Sequence, residues 1–199
     1  MTAQGRRRQI LDVAAEMVAE NGFHDISIEA VAQGAGISRP IVYEHFGDLA
    51  GLLEAVIGQV GERALTQLAA VLPSGPESED PRDRLLAAFR GYLEAARSDP
   101  TTWRLVLMPP EGAPETLRGG IAVGRRAVVA QLAETVRAGL GTGERSPDPE
   151  LTASMLSWMA DESARLMLTL PNEYPVDRIL DHARWVLDQI APRQARPGP

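Results

Sequence analysis

The sequence predicts an all-helical protein in two parts, with three short helices over residues 1–47, a larger helical domain over 48–191 and a disordered tail over 192–199. Three observations carry this. Apolar residues recur at helical spacing, as in Ile28, Val31, Ala32 and Ala35 at i, i+3, i+4 and i+7. Nowhere do several residues alternate cleanly between apolar and polar, as a half-buried strand requires. Helix starts are also marked in a regular way, by Asp80-Pro81, Asp99-Pro100 and Asp148-Pro149. In each, the aspartate can accept a hydrogen bond from an orphan N–H. The proline then stands where its missing N–H costs nothing.

The elements follow in order. A first helix runs from about Thr2 to the Asn21-Gly22 stop, with Leu11, Ala14, Ala15 and Val18 as its apolar stripe. A second opens at Ser27. A third starts at Ser38 and ends near Phe46-Gly47. Asp48 caps a long fourth helix to about Leu72, roughly 36 Å at 1.5 Å per residue. Pro73 to Pro81 is a loop by composition. Helices are then expected over Pro81–Arg97, Pro100–Met108 and Pro114–Leu140, with PPEGAP breaking the chain before the last of these. After the loop GTGERSPDP, two helices, Pro149–Leu170 and Pro175–Ile190, close the fold.

The most informative stretch is Gly36 to Phe46, GISRPIVYEHF. Helices two and three are joined across Gln33-Gly34-Ala35-Gly36, the layout of a helix-turn-helix, whose second helix enters the DNA major groove. Glycine at 34 and 36 permits a sharp turn. Ile37, Val42 and Phe46 are spaced to face helices one and two, which leaves Arg39, Pro40, Ile41 and Tyr43 pointing elsewhere. Pro40 is tolerated in the first turn, where its N–H has no intrahelical partner to lose. With Ile41 it offers an apolar edge for thymine methyls, while Arg39 can grip guanine O6 and N7 or a phosphate.

Phe23, Ile28, Val31-Ala32, Ala35-Gly36-Ile37-Ser38 and Tyr43-Glu44-His45-Phe46 together resemble the DNA-binding domain of the tetracycline-repressor (TetR) family, over about a quarter of the chain. The resemblance implies that Arg39, Pro40 and Ile41 read bases. It places Ser27, Ser38, Tyr43 and His45 on phosphates, with Arg6 and Arg7 of the run 6–8 near the DNA backbone. One departure is visible. The family often has a phosphate-binding lysine three residues after the motif phenylalanine, and here that position is Leu49.

The resemblance also assigns the second domain to effector binding and dimerisation. Phe89, Tyr92, Trp103 and Met108 could line a cavity, and Arg104 could pair with an acidic effector, although ordinary core explains the aromatics and solvent explains Arg104 equally simply. Leu151, Met155, Trp158, Met159, Glu162 and Leu166 share one face of the penultimate helix. The last helix carries a wide stripe of Val176, Ile179, Leu180, Ala183, Val186, Leu187 and Ile190. In the family these two helices join two copies. Met155, Met159, Val176, Ile179, Ala183, Val186 and Ile190 are therefore the expected interface of a homodimer.

Composition narrows the classes. Apolar residues make up 44% and charged residues 24%, a globular balance, and no apolar run approaches the roughly 18 residues of a membrane span. Acidic residues interrupt the N-terminal apolar stretch, so a secretory leader is not expected and the cytoplasm is. No cysteine is present, and every basic residue is arginine. The net charge of −7 argues against a protein coated in positive charge but leaves room for a local basic surface. His24, His45 and His182 are scattered without metal spacing, and His182 beside Asp181 reads as a surface pair. With no phosphate-binding glycine loop, nucleophile elbow or carboxylate dyad, neither enzyme activity, cofactor nor metal is expected.

The reading is a cytoplasmic, homodimeric transcriptional repressor that binds a double-stranded operator and is released by a small-molecule effector. The sequence leaves open an activator, control by a protein partner, and, more remotely, a helical enzyme.

Overall fold

The computed structural model of the chain describes residues 2–71, 80–139 and 148–190. Among them are nine helices and no strand: α1 (Ala3–Asn21), α2 (Ile28–Gly34), α3 (Arg39–Phe46), α4 (Leu49–Val71), α5 (Pro81–Ser98), α6 (Pro100–Leu107), α7 (Glu115–Gly139), α8 (Pro149–Thr169) and α9 (Val176–Ile190). The cap residues expected from sequence mark the starts. Thr2 accepts from the Gly5 N–H at 3.1 Å, Ser27 from Ala30 at 3.2 Å and Asp48 from Gly51 at 2.8 Å. Asp80 accepts from Arg82 at 3.0 Å, Asp99 from Thr102 at 3.3 Å, and Asp148 from both Glu150 and Leu151 at 3.0 Å. Most of the two expected loops, and the expected tail, lie outside the described residues.

The chain forms two compact units. The first comprises residues up to Thr66 together with Asp99–Gly124. In it α1 packs on α2 and α6, and α2 packs on α3. Its core joins Ile10, Leu11, Ala14 and Val18 of α1 to Val31 and Ala32 of α2 and Val42 of α3. Leu52, Val56 and Val60 of α4, Leu105 of α6 and Leu117 of α7 enter the same core. The three N-terminal helices therefore share their packing with the first part of α4 and the α6–α7 segment. A polar junction reinforces this. Asp12 Oδ1 of α1 accepts from Arg63 at 2.5 Å and from Gln59 at 2.9 Å, both on α4.

The two turn glycines have different reasons to be glycine. Gly36 has φ +64°, a left-handed conformation that other residues adopt at a cost. Gly34 is helical. A Cβ there would lie 2.7 Å from Met17 Cε and 2.9 Å from Val13 Cγ1, so its role is to let α2 approach α1 rather than to make the turn. Gly36→Ala, with open space around its Cβ, isolates the backbone term. We expect it to cost about 1–2 kcal/mol of stability, read from urea unfolding; a change within a few tenths would mean that the turn relaxes freely.

The second unit comprises Gln67–Ser98 and the residues from Arg125 onward. Here α5 packs against α8 and α9. Leu85, Tyr92, Leu93 and Ala96 of α5 are buried, as are Ala153, Ala164 and Met167 of α8 and Ile179, Leu180 and Leu187 of α9.

Candidate nucleic-acid interface

Helix α3 is only eight residues long and buries one residue completely, Val42, while Ile37 and Phe46 pack partly against the core. An isolated helix of this length is unstable in water, so its tertiary contacts hold it. Those contacts consume the inward face and leave the other for a ligand. Arg39 and Pro40 are exposed, Ile41 is half-buried, and Tyr43 is 50% exposed. Ser38 stands at the N-cap with no side-chain cap bond, so its hydroxyl remains available, while its carbonyl accepts from the Ile41 N–H at 3.1 Å. Ser27 caps α2 as an acceptor, which leaves its O–H to donate outward. The structure thus brings Arg39, Pro40, Ile41, Tyr43 and His45 together on one short helix flanked by Ser38.

The cations are more engaged than the sequence suggested. Arg39 lies 3.6 Å from Glu29 of α2, an exposed pair that contributes little to stability. Arg6 donates to Gln9 Oε1 at 2.9 Å, and Gln9 donates to the Ala35 carbonyl at 3.1 Å, at the end of α2. Arg7 donates to the His45 carbonyl at 3.0 Å and lays its guanidinium 4.4 Å from the centre of the Phe46 ring. Leu49, where the family often has lysine, opens α4 and packs partly against the core of the first unit. Its apolar side chain has a local structural use.

In the second unit, Phe89 and Tyr92 lie on α5, half-buried and buried respectively. Trp103, Arg104 and Met108 belong to the first unit, where Trp103 is buried, Arg104 exposed and Met108 half-buried. Sequence reasoning missed the partner of Tyr92. Its hydroxyl donates to Asp161 Oδ1 at 2.9 Å, and the other carboxylate oxygen meets Arg125 at 2.5 Å. This network ties α5, α7 and α8 together. Burial, and then the charge of Asp161, push the Tyr92 phenol far above its ordinary 10.0. A raised value means that the fold favours the neutral phenol. The resulting stability is complete below about pH 10 and declines as the pH rises further. We expect the melting temperature of the intact protein to fall more steeply between pH 9 and 11 than that of Tyr92→Phe; parallel profiles would show that the phenol is not stabilised.

The faces expected at a dimer interface divide in two. On α8, Leu151, Met155, Trp158 and Met159 are 45–63% exposed at i, i+4, i+7 and i+8. On α9, Ile179 is buried in its own unit, Val176, Ala183 and Val186 are half-buried, and the side chain of Ile190 lies outside the described residues. The large exposed apolar residue of α9 is Trp185, which the stripe did not include. His182 stacks on Trp185 with centroids 5.7 Å apart, while Asp181 pairs with Arg184 at 2.9 Å. The expected Asp181–His182 pair is therefore replaced by two i,i+3 contacts, since i,i+1 side chains diverge on a helix.

Comparison with known proteins places this geometry. Residues 10–56 match the family described as bacterial regulatory proteins, tetR family. The chain is similar to the HTH-type transcriptional regulator UidR of Escherichia coli, 42% identical over 65 residues, which is 33% of each chain. It is also similar to the HTH-type transcriptional activator FasR of Mycolicibacterium smegmatis, 29% identical over 101 residues, 51% of this chain and 45% of that protein. The matches thus span less than half the length of these relatives. The fold matches over nearly its whole length a TetR-like transcriptional regulator from Rhodococcus sp. RHA1, with TM-score 0.75, 24% identity, and 94% of this chain and 97% of that one covered.

Proposed function

We propose that the chain, whose residues 10–56 match the tetR family of bacterial regulatory proteins, is a homodimeric transcriptional regulator that binds a double-stranded operator through α3 and is released by a small-molecule effector. The observation that carries this is the exposed first turn of α3, where Arg39 and Pro40 protrude from a helix otherwise held by its inward face. Arg39, Pro40 and Ile41 meet base edges. Ser27, Ser38, Tyr43 and His45 meet phosphates, and Arg6 and Arg7 lie near the backbone. Residues 1–47 are the DNA-binding part, and 48–191 the effector-binding and dimerising part. The exposed α8 face supports the join between copies, because a lone chain gains nothing by leaving Trp158 and two methionines in water.

The protein works in the cytoplasm, without a cofactor and as a binder rather than an enzyme. Repression by occupying a promoter is the first reading. The printed name of the FasR relative, an activator, favours activation as the second. The test is enrichment of duplexes from a random pool by the purified protein. A recurring two-fold symmetric sequence supports the proposal, and failure to enrich any sequence refutes it.

A further inference from the structure

We propose that Arg7 is a positioning residue that sets the angle of α3, and that its guanidinium is engaged by the end of α3 rather than by a phosphate. The proposal rests on α3 being the reading helix and revises the part Arg7 plays beside it. Helix α3 ends on carbonyls that need donors. The Tyr43 carbonyl accepts from Gly47 at 2.8 Å and that of Phe46 from Asp48 at 3.0 Å. The His45 carbonyl accepts from Arg7, 38 residues away in sequence. A guanidinium at a helix C-terminus also meets the negative end of the helix dipole. The same group lies over the ring of Phe46, the last residue of α3, with its central carbon 4.4 Å from the ring centre, a contact that a planar guanidinium can make while also donating to a carbonyl.

Two residues further along α1, Gln9 donates to the carbonyl of Ala35, the C-cap of α2, in the turn of the motif. Arg6 in turn holds Gln9 by its side-chain oxygen. Residues 6 to 9 of α1 therefore grip the helix-turn-helix at two places, the turn and the far end of α3. A helix with one fully buried residue and no side-chain N-cap depends on such grips for its direction. A bidentate base contact tolerates little change in direction, so loosening the grip falls hardest on the specific site.

The experiment compares Arg7→Ala with the intact protein on two probes, the duplex it enriches from a random pool and a scrambled duplex of equal length, across a salt series. The positioning role expects a loss on the order of tenfold on the enriched duplex, a smaller loss on the scrambled one, and an unchanged salt slope. A phosphate contact expects equal losses on both and a slope shallower by about one unit, and that result overturns the proposal, as does unchanged affinity. Hydrogen exchange without DNA tests the grip independently of any operator. Amides at the end of α3 should exchange faster in Arg7→Ala while those of α5 and α8 do not change, and unaltered exchange in α3 overturns the proposal even where DNA binding itself fails. Where Arg7→Ala does not fold, Arg7→Lys serves. It keeps the charge but not the flat fork, so positioning expects a loss on the enriched duplex and a phosphate contact expects none.

Discussion

Trp158→Glu should yield a folded monomer with operator affinity reduced by orders of magnitude. Trp158 is 63% exposed on the lone chain, between Met155 and Met159 on α8, so a carboxylate there costs its own unit almost nothing. At the centre of a join between copies it would be buried with no partner. On a two-fold axis each copy meets the same patch, so two such charges face each other. Burying unpaired charge costs several kcal/mol, and each 1.4 kcal/mol is tenfold in the dimer constant. Operator binding suffers with it, because a single reading head cannot span half-sites one DNA turn apart. Light scattering reads the mass and circular dichroism the fold. A dimer of full affinity in Trp158→Glu would falsify the assignment of α8 to the interface and move it elsewhere.

The second large effect is at the reading helix. Arg39→Ala should cost about 1–3 kcal/mol on the enriched duplex if the guanidinium grips guanine O6 and N7, and should relax the sequence preference at that base pair. The protein's own fold should not change, because the Glu29–Arg39 pair is exposed and contributes little. Competition between the enriched duplex and a scrambled one decides the role. A loss confined to the enriched site supports base reading. Equal losses on both would reduce Arg39 to a phosphate contact and shift the reading to Pro40 and Ile41.

Local chemistry made most of the fold legible. Asp99 and Asp148 stand beside prolines and cap their helices whatever lies around them, so two residues of sequence were enough to place each start. The inward positions of α1 to α3 were legible because apolar residues repeat at helical spacing within each helix, as Leu11, Ala14, Ala15 and Val18 do on α1, Ile28, Val31 and Ala32 on α2, and Val42 and Phe46 on α3. What was not legible depends on distance along the chain. Gly34 looks like a turn glycine until Val13 and Met17 are seen against it. The Tyr92–Asp161 bond joins residues 69 apart, and nothing in either segment announces the other. On α9, a wide apolar stripe has the same appearance whether it faces its own unit or a second copy, and burial of Ile179 and exposure of Trp185 divide the two uses in a way that periodicity could not. The candidate effector residues remain the least legible part, because an aromatic lining a cavity and one filling a core occupy the same helical positions.

The junction on Asp12 has a mechanical consequence. Gln59 and Arg63 fasten α4 to α1 one turn apart, and Arg7 and Gln9 fasten α1 to the reading motif. The four bonds turn separate helices into one lever, in which a tilt of α4 cannot be absorbed locally and is carried to the DNA-facing end. From Leu49 to Arg63 the arm is about 21 Å at 1.5 Å per residue, and a tilt of about 5° moves its end by roughly 2 Å. That displacement is several times the roughly 0.5 Å over which N–H···O hydrogen-bond lengths range. Cutting the lever at its fulcrum, with Arg63→Met, should let α4 move without its load. Spin labels on α1 and α4 would then report a broadened distance distribution, whereas a sharp, unchanged distance would mean that apolar packing alone keeps the arm rigid.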